Sequence, residues 1–199
     1  MTTNAHKSAY ALALALVASL SFTTTASADA GQGAFRLGAD VPVLGLQHFP
    51  GDFGSYTTFQ FGLWSTNVAR PQVGASIAFQ IIEPLVIGAR AGFGALWTET
   101  GPADSTSGVF ALVPFLEYMF GDGTIRPFIG GQAGFQIFFP DGGDAQGWFV
   151  GGGLGGVHIF ATPGFSISPT LMLDFLYRGD AERAGFGLSG IVTLNGWIN

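Results

Sequence analysis

The sequence feature that most constrains the fold is an alternation of apolar and less apolar residues, which recurs in eight segments. In residues 84–98, every odd-numbered position from Leu85 to Trp97 is apolar. On the other face of the same segment, Arg90 stands among glycines such as Gly88 and Gly92. Successive side chains of a β-strand point to opposite faces, so a period of two predicts strands. The chain is therefore expected to be all-β.

The predicted strands and their connections follow a regular order. The strands are placed at 34–46, 69–82, 84–98, 108–120, 124–138, 146–161, 164–178 and 184–198. Short turns at 83–84, 121–123 and 162–163 alternate with longer connections at 47–68, 99–107, 139–145 and 179–183. This order is typical of up-and-down barrels, in which all the short turns lie at one end. In the strand at 146–161, the glycine run from 151 to 156 predicts a β-bulge.

The composition excludes several classes of protein. Only 10% of the residues are charged, against about 25% in an average protein, while 48% are hydrophobic. So few charges make a surface that is poorly suited to water. The formal net charge of −6 argues against a nucleic-acid partner, which requires a basic face. Without cysteine, the chain has no disulfide, thiolate metal site or cysteine nucleophile.

The N-terminus has the pattern of a secretory signal peptide. Lys7 precedes an apolar run at 9–22, and Ala26-Ser27-Ala28 forms an A-x-A cleavage site. The run is shorter than the roughly 20 apolar residues of a transmembrane helix. We therefore expect a cleaved signal peptide at 1–28 and a single exported domain at 29–199.

The remaining chain is apolar enough for a bilayer but contains no uncharged apolar stretch long enough for a spanning helix. Only helices and closed barrels satisfy their backbone hydrogen bonds within lipid. The predicted fold is therefore an eight-stranded antiparallel up-and-down transmembrane β-barrel. In such barrels the short turns face the periplasm and the long loops face outward, which places the chain in an outer membrane.

Charged residues indicate which face of each strand meets lipid. A basic side chain on the lipid side at mid-depth would cost about 2–4 kcal/mol. The apolar face is therefore predicted to meet lipid, and the charged face to line the lumen. An eight-stranded barrel is just wide enough for side chains to fill it. We interpret the following charges as a compensated structural network in a filled lumen: Arg36, Asp40, Arg90, Glu117, Arg126, Asp174 and Arg178.

Two further expectations concern the strand ends. Glu117 and Arg126 flank the same short turn, which predicts a contact between these neighbouring strands. Aromatic residues near strand ends are expected to form girdles at the membrane interfaces. The candidates are Trp97 and Tyr177 at the outer end, and Tyr118, Phe120 and Trp197 at the periplasmic end.

The signal ending in Ala26-Ser27-Ala28 and segments such as 86–93 resemble the small eight-stranded outer-membrane barrels of the OmpA/OmpX type. The resemblance is architectural and covers nearly the whole chain after residue 28. It implies an integral outer-membrane protein, surrounded by outer-membrane lipids, that is delivered by periplasmic chaperones and the outer-membrane insertion machinery.

Other patterns support other interpretations. Gly151, Gly153 and Gly156 match G-x-G-x-x-G, but a strand-like segment follows where a nucleotide-binding site needs a helix. His48 lies near Asp52, which could indicate a metal, but a pair of this kind has no ligand-spacing motif. Acidic residues of the long connections are interpreted as solvated charge. No cofactor and no metal are predicted.

The main alternative function is that of a lipid-modifying enzyme at the barrel rim, with His48 or His158 as its base. No serine is expected beside His158, and a nucleophile needs its base within hydrogen-bond reach. A small diffusion pore is a further alternative. We expect a monomeric, non-enzymatic barrel with a structural or surface-interaction role. Its long connections would present an acidic surface through Asp52, Glu99, Asp104, Asp141, Asp144, Asp180 and Glu182.

Overall fold

The computed structural model describes residues 33–49, 56–61, 73–100, 103–179 and 183–198. The predicted signal peptide at 1–28 lies outside these residues. The strands of the described part are β1 (Phe35–Phe49), β2 (Tyr56–Phe61), β3 (Val73–Ile82), β4 (Leu85–Thr100), β5 (Ala103–Met119), β6 (Ile125–Phe139), β7 (Gln146–Thr162), β8 (Phe165–Arg178) and β9 (Arg183–Ile198). Across the described ranges, no helix has the length and apolar character needed to cross a membrane.

The strands form one antiparallel sheet that closes on itself. From β3 to β9 each strand pairs with its neighbours in chain order, and β1 pairs with both β3 and β9. The closing ladder runs from Phe35 opposite Ile198 to His48 opposite Phe186. The result is a closed eight-stranded barrel, which confirms the predicted fold class. The eight predicted segments correspond to β1 and β3–β9, with differences confined to the strand ends.

Strand β2 was not among the predicted strands, because its residues were assigned to the connection at 47–68. Along one edge of β1, Asp40 lies opposite Gly74 of β3, whereas Leu44 lies opposite Phe61 of β2. Strand β2 therefore continues the wall above β3, toward the end of the barrel that carries the long connections. We call this the loop end and the opposite one the short-turn end.

The two faces of the wall differ as the alternation predicts. Large apolar side chains cover the outside, where Phe93 and Phe175 are 63% and 64% exposed. The inward positions hold the charged side chains of the strands, together with polar, glycine and smaller apolar residues, and many of the polar ones are buried. A water-soluble barrel has the opposite arrangement, because its apolar side chains form the core. The outside of this barrel is suited to contact with lipid.

The glycines of β7 keep the wall close-packed rather than forming the predicted bulge. The pairing of β6 with β7 is continuous from Ile125 to Phe138, and the register shift of β7 against β8 falls between Phe160 and Thr162. A Cβ at Gly152 would overlap the carbonyl oxygen of Leu173 on β8. Glycine at this inward position allows the two backbones to approach each other.

Candidate functional site

The lumen near the short-turn end is occupied by a buried ion pair. Arg36 of β1 donates from Nη1 to Oε2 of Glu117 on β5 at 2.6 Å, and both side chains are 3% exposed. The guanidinium also lies over the rings of Phe115 and Trp197, 5.3 and 5.4 Å from their centroids. The interior is therefore wide enough for only a few side chains at this level, and they compensate one another's charge.

A chain of hydrogen bonds extends from this ion pair around the barrel. His158 Nε2 lies 3.3 Å from Arg36 Nη1, and its Nδ1 lies 2.6 Å from Ser168 Oγ. Asn195 Nδ2 also donates to Ser168 Oγ, at 2.7 Å. Trp197 Nε1 donates to Ser166 Oγ at 2.9 Å. Strands from opposite sides of the barrel are linked through these groups.

Ser168 corrects the expectation that no serine lies beside His158. The pair has the residue types of a hydrolase nucleophile and its base. His158 Nε2 lies 3.3 Å from Arg36 Nη1 and 3.7 Å from Glu117 Oε2, so the ring lies between a cation and a carboxylate. Ser168 is 2% exposed and His158 is 1% exposed, so both side chains are buried in the lumen.

A second polar layer lies nearer the loop end. Arg90 Nε donates to Asp40 Oδ2 at 2.6 Å, and its Nη1 donates to Gln132 Oε1 at 3.2 Å. Gln132 in turn donates to Asp174 Oδ1. Thr193 donates to the other oxygen of Asp40 at 2.6 Å. This layer brings together three of the predicted lumen charges.

The remaining predicted lumen charges lie closer to the two ends. Arg126 donates to the carbonyl oxygens of Asp122 and Gly123, both at 3.0 Å, and so holds the short turn. In the ladder of β5 with β6, Glu117 lies opposite Gly130. Glu117 forms its ion pair with Arg36, and its expected contact with Arg126 stays a prediction. Arg178, the last residue of β8, is half-buried near the loop end.

The short-turn end of the lumen is closed by an apolar plug. Four of its members, Val86, Met119, Phe128 and Trp197, are at most 2% exposed. They pack with other inward residues into one cluster, which comprises Ala34, Ala78, Val86, Phe115, Met119, Phe128, Leu154 and Trp197. The alternation had assigned the less apolar face of each strand, with compensated charges, to the lumen. The plug shows that the inward face near the short turns combines large apolar side chains with buried polar ones.

Above the second polar layer the lumen contains a cavity of about 120 Å³. Arg90, Asp40, Gln132 and Asp174 line it on the side of the second layer, and mostly apolar side chains line it toward the loop end. This cavity departs from the expectation of a filled lumen. The sequence could not reveal this cavity, because its volume depends on how strands from all sides of the barrel come together.

The predicted interfacial aromatics fall into two groups. Tyr118, Phe120 and Tyr177 are 46%, 43% and 50% exposed on the outer wall. Trp197, by contrast, is fully buried in the plug, which corrects its assignment to the interface. Trp197 follows the inward-facing Asn195 by two residues in β9, so the alternation itself predicts that its side chain points inward. The side chain of Trp97 lies outside the described residues.

His48 and the glycines of β7 were the other candidates for a metal, catalytic or nucleotide site. The His48 ring stacks obliquely on Phe186, with centroids 5.3 Å apart. In the part of the chain that the structure describes, no three His, Cys, Asp or Glu side chains are placed to hold a metal ion. The glycines at 151, 153 and 156 lie within strand β7, where no helix follows.

No protein-family model matches this chain, and no curated protein matches its sequence. Several solved structures, by contrast, are similar to its fold. Neisserial surface protein A (NspA) aligns over 81% of this chain and 98% of its own, with 16% identity and a TM-score of 0.53. OprG from Pseudomonas aeruginosa aligns over 85% and 97%, with 10% identity and a TM-score of 0.49. Together with the closed ladder, the likeness to NspA shows that this chain has the fold of the small eight-stranded outer-membrane β-barrels.

Proposed function

We propose that this chain is an integral outer-membrane barrel with a structural or surface-interaction role, rather than a pore or an enzyme. The observation that carries the proposal is the apolar plug, which packs against the Arg36–Glu117 pair and lies below the layer that contains Arg90. Water and ions need a continuous polar path to cross a barrel, and the plug residues Met119 and Trp197 offer them none. The packed interior would then stabilise the barrel, as the hydrophobic core stabilises a soluble protein.

The outer wall supports the location. Its exposed aromatic and aliphatic side chains would be unstable in water, because monomeric soluble proteins expose apolar patches of only a few hundred Å². A bilayer accepts the same surface. The secretory pattern at 1–28 would direct the chain across the inner membrane, and chaperones and the insertion machinery would then deliver it. The barrel closes on itself and leaves no strand edge along the closing ladder for pairing, which favours a monomer.

The surface role would belong to the loop end. Asp141 and Asp144 are exposed in the connection between β6 and β7, and the net charge of the chain is acidic. Deleting residues 50–66 in the producing cell, with the barrel retained, tests this role. Loss of a surface property such as adhesion would support it, and an unchanged cell surface would contradict it.

The closed lumen is tested by adding the purified protein to planar lipid bilayers. We expect no steady current, because the plug and the Arg36–Glu117 pair block the lumen. Folding is checked in the same preparation by the different migration of boiled and unboiled samples on a denaturing gel. Reproducible single-channel steps from the folded protein would overturn the proposal and favour a diffusion pore.

The alternative of a lipid-modifying enzyme is favoured by one observation, the 2.6 Å contact of His158 with Ser168. A fluorophosphonate probe and a labelled outer-membrane lipid test it directly. We expect neither labelling nor turnover, because Ser168 is buried. Turnover by the native protein that disappears in Ser168→Ala would establish the enzyme instead.

A further inference from the structure

The cavity in the loop half of the lumen has the composition of a small-molecule site. Its walls toward the loop end are apolar, formed by side chains such as Val113, Val150, Leu176 and Ile191. Its other side is the polar layer that contains Arg90 and its partners. Ligand sites in proteins are typically apolar hollows with a few polar groups that fix the orientation of the ligand.

Arg90 supplies unused hydrogen-bond donors to this cavity. Its Nε donates to Asp40, and its Nη1 to Gln132 and to Met172 Sδ, the last at 3.5 Å. Among the described residues, Nη2 has no acceptor, and the side chain retains 13% of its accessible surface. A guanidinium carries five N–H donors, and those on Nη2 are available to an oxygen acceptor.

The charges around the cavity restrict which acceptor can bind. One guanidinium, that of Arg90, faces the carboxylates of Asp40 and Asp174 on the same lining. Asp40 already neutralises Arg90 at 2.6 Å, so an additional anion would meet a net negative surface. Burying a charge without a compensating partner is strongly unfavourable. The acceptor oxygen is therefore best carried by an uncharged group.

The size of the cavity limits the rest of the ligand. A cavity of about 150 Å³ lined by apolar side chains accommodates benzene. The present cavity, at about 120 Å³, is of the same order and fits a molecule of up to about six non-hydrogen atoms, the number in benzene. A four-carbon amide satisfies this limit and places methylene groups against Val113, Val150 and Leu176.

We propose that the loop half of the lumen binds a small uncharged amphiphile, a short-chain amide or related carbonyl compound. Its oxygen accepts from Nη2 of Arg90, and its alkyl chain packs on the apolar wall. Because the plug closes the short-turn end, the ligand enters and leaves at the loop end. This role is separate from that of the loops, since it needs only the residues of the lumen.

The test uses the folded protein in lipid nanodiscs with labelled methyl groups on valine, leucine and isoleucine. Butyramide is titrated, and butyrate and n-butylammonium serve as charged molecules of nearly the same size. We expect saturable shifts of the methyl signals of Val113, Val150, Leu176 and Ile191, with butyramide binding at lower concentration than either ion. Tighter binding of butyrate or n-butylammonium, or shifts that never saturate, would overturn the proposal.

A pair of matched variants locates the site. Ala111 lines the cavity and is 6% exposed, so Ala111→Leu would fill the space. Ala133 faces outward on β6, so Ala133→Leu adds the same atoms on the lipid side. We expect at least a tenfold loss of butyramide affinity in the first and none in the second. If Ala111→Leu does not fold, Ser189→Leu, on another strand of the cavity lining, takes its place. The site would be refuted if a folded variant with leucine in the cavity bound butyramide as tightly as the native chain.

Discussion

Arg36 and Glu117, which are 81 positions apart in the sequence, form an ion pair of 2.6 Å inside the barrel. Each side chain is 3% exposed, so water could not take the place of a missing partner. Removing one member of a buried pair leaves an uncompensated charge, which costs about 3–5 kcal/mol. The stability of the barrel should therefore depend on the pair as a unit.

We expect Arg36→Met and Glu117→Leu each to lower the free energy of unfolding by about 3–5 kcal/mol. The double variant should be more stable than either single one, because it leaves neither charge alone. Urea unfolding in lipid vesicles, followed by tryptophan fluorescence, measures all three. Arg183→Gln, at an exposed position, serves as the control and should change stability by less than about 1 kcal/mol. A double variant as unstable as the sum of the singles would contradict this prediction.

Two adjacent glycines of β7 should respond differently to the same substitution. A Cβ at Gly152 would overlap the Leu173 carbonyl oxygen and lie 2.9 Å from the Cα of Asp174, whereas a Cβ at Gly153 meets nothing closer than 3.9 Å. We expect Gly152→Ala to destabilise the barrel by about 1–3 kcal/mol. Gly153→Ala should be neutral or stabilise it by up to about 1 kcal/mol. Urea unfolding of the two variants compares them, and equal losses would show that the inward contact is not the cause.

The depth of the outer surface in lipid is tested on β8. Leu171 lies near the middle of this strand and is 56% exposed, while Tyr177 lies near its loop end and is 50% exposed. We expect Leu171→Arg to cost about 2–4 kcal/mol and Tyr177→Arg about 0–1 kcal/mol, because the cost of a charge falls toward the interface. Unfolding in lipid vesicles measures both. Equal costs at the two positions would contradict a membrane-spanning orientation of β8.

Trp197 should be shielded from lipid although it stands near a strand end. A protein that retains only this tryptophan, with Trp64, Trp97 and Trp148 replaced by phenylalanine, isolates its fluorescence. We expect no quenching by lipids with brominated acyl chains, because Trp197 is fully buried in the plug. Phe175→Trp in a tryptophan-free chain provides the lipid-facing control, since Phe175 is 64% exposed. Quenching of Trp197 as strong as that of the control would place it on the outer wall.

The sequence was sufficient to predict the eight strands of the closed barrel and their two faces, although not β2. Strand β8, for example, was expected at 164–178 and forms at Phe165–Arg178. The reason is that residues facing lipid must be apolar, whereas residues facing the lumen can be polar. Each strand therefore shows an alternation that can be recognised without its neighbours. Arg36, Asp40 and Glu117 could be assigned to one face without any knowledge of their partners.

The contacts across the lumen could not be predicted in the same way. Arg36 contacts Glu117 only because barrel closure and strand stagger bring the same level of two non-adjacent strands together. Local alternation contains no information about this stagger, so the partner that the sequence suggested for Glu117 was Arg126, across the short turn. The contact of His158 with Ser168 is different, because these residues lie on neighbouring strands joined by a short turn.

Met119 and Trp197 belong to the plug at the short-turn end of the lumen. This plug has a consequence for any molecule that occupies the cavity. With the lumen closed as we propose, a solute that exchanges through one mouth alone returns to the compartment from which it came, and the protein would not dissipate a concentration gradient between the two sides. The occupancy of the cavity would instead follow the concentration in a single compartment. On this proposal the barrel equilibrates its ligand with one side of the membrane.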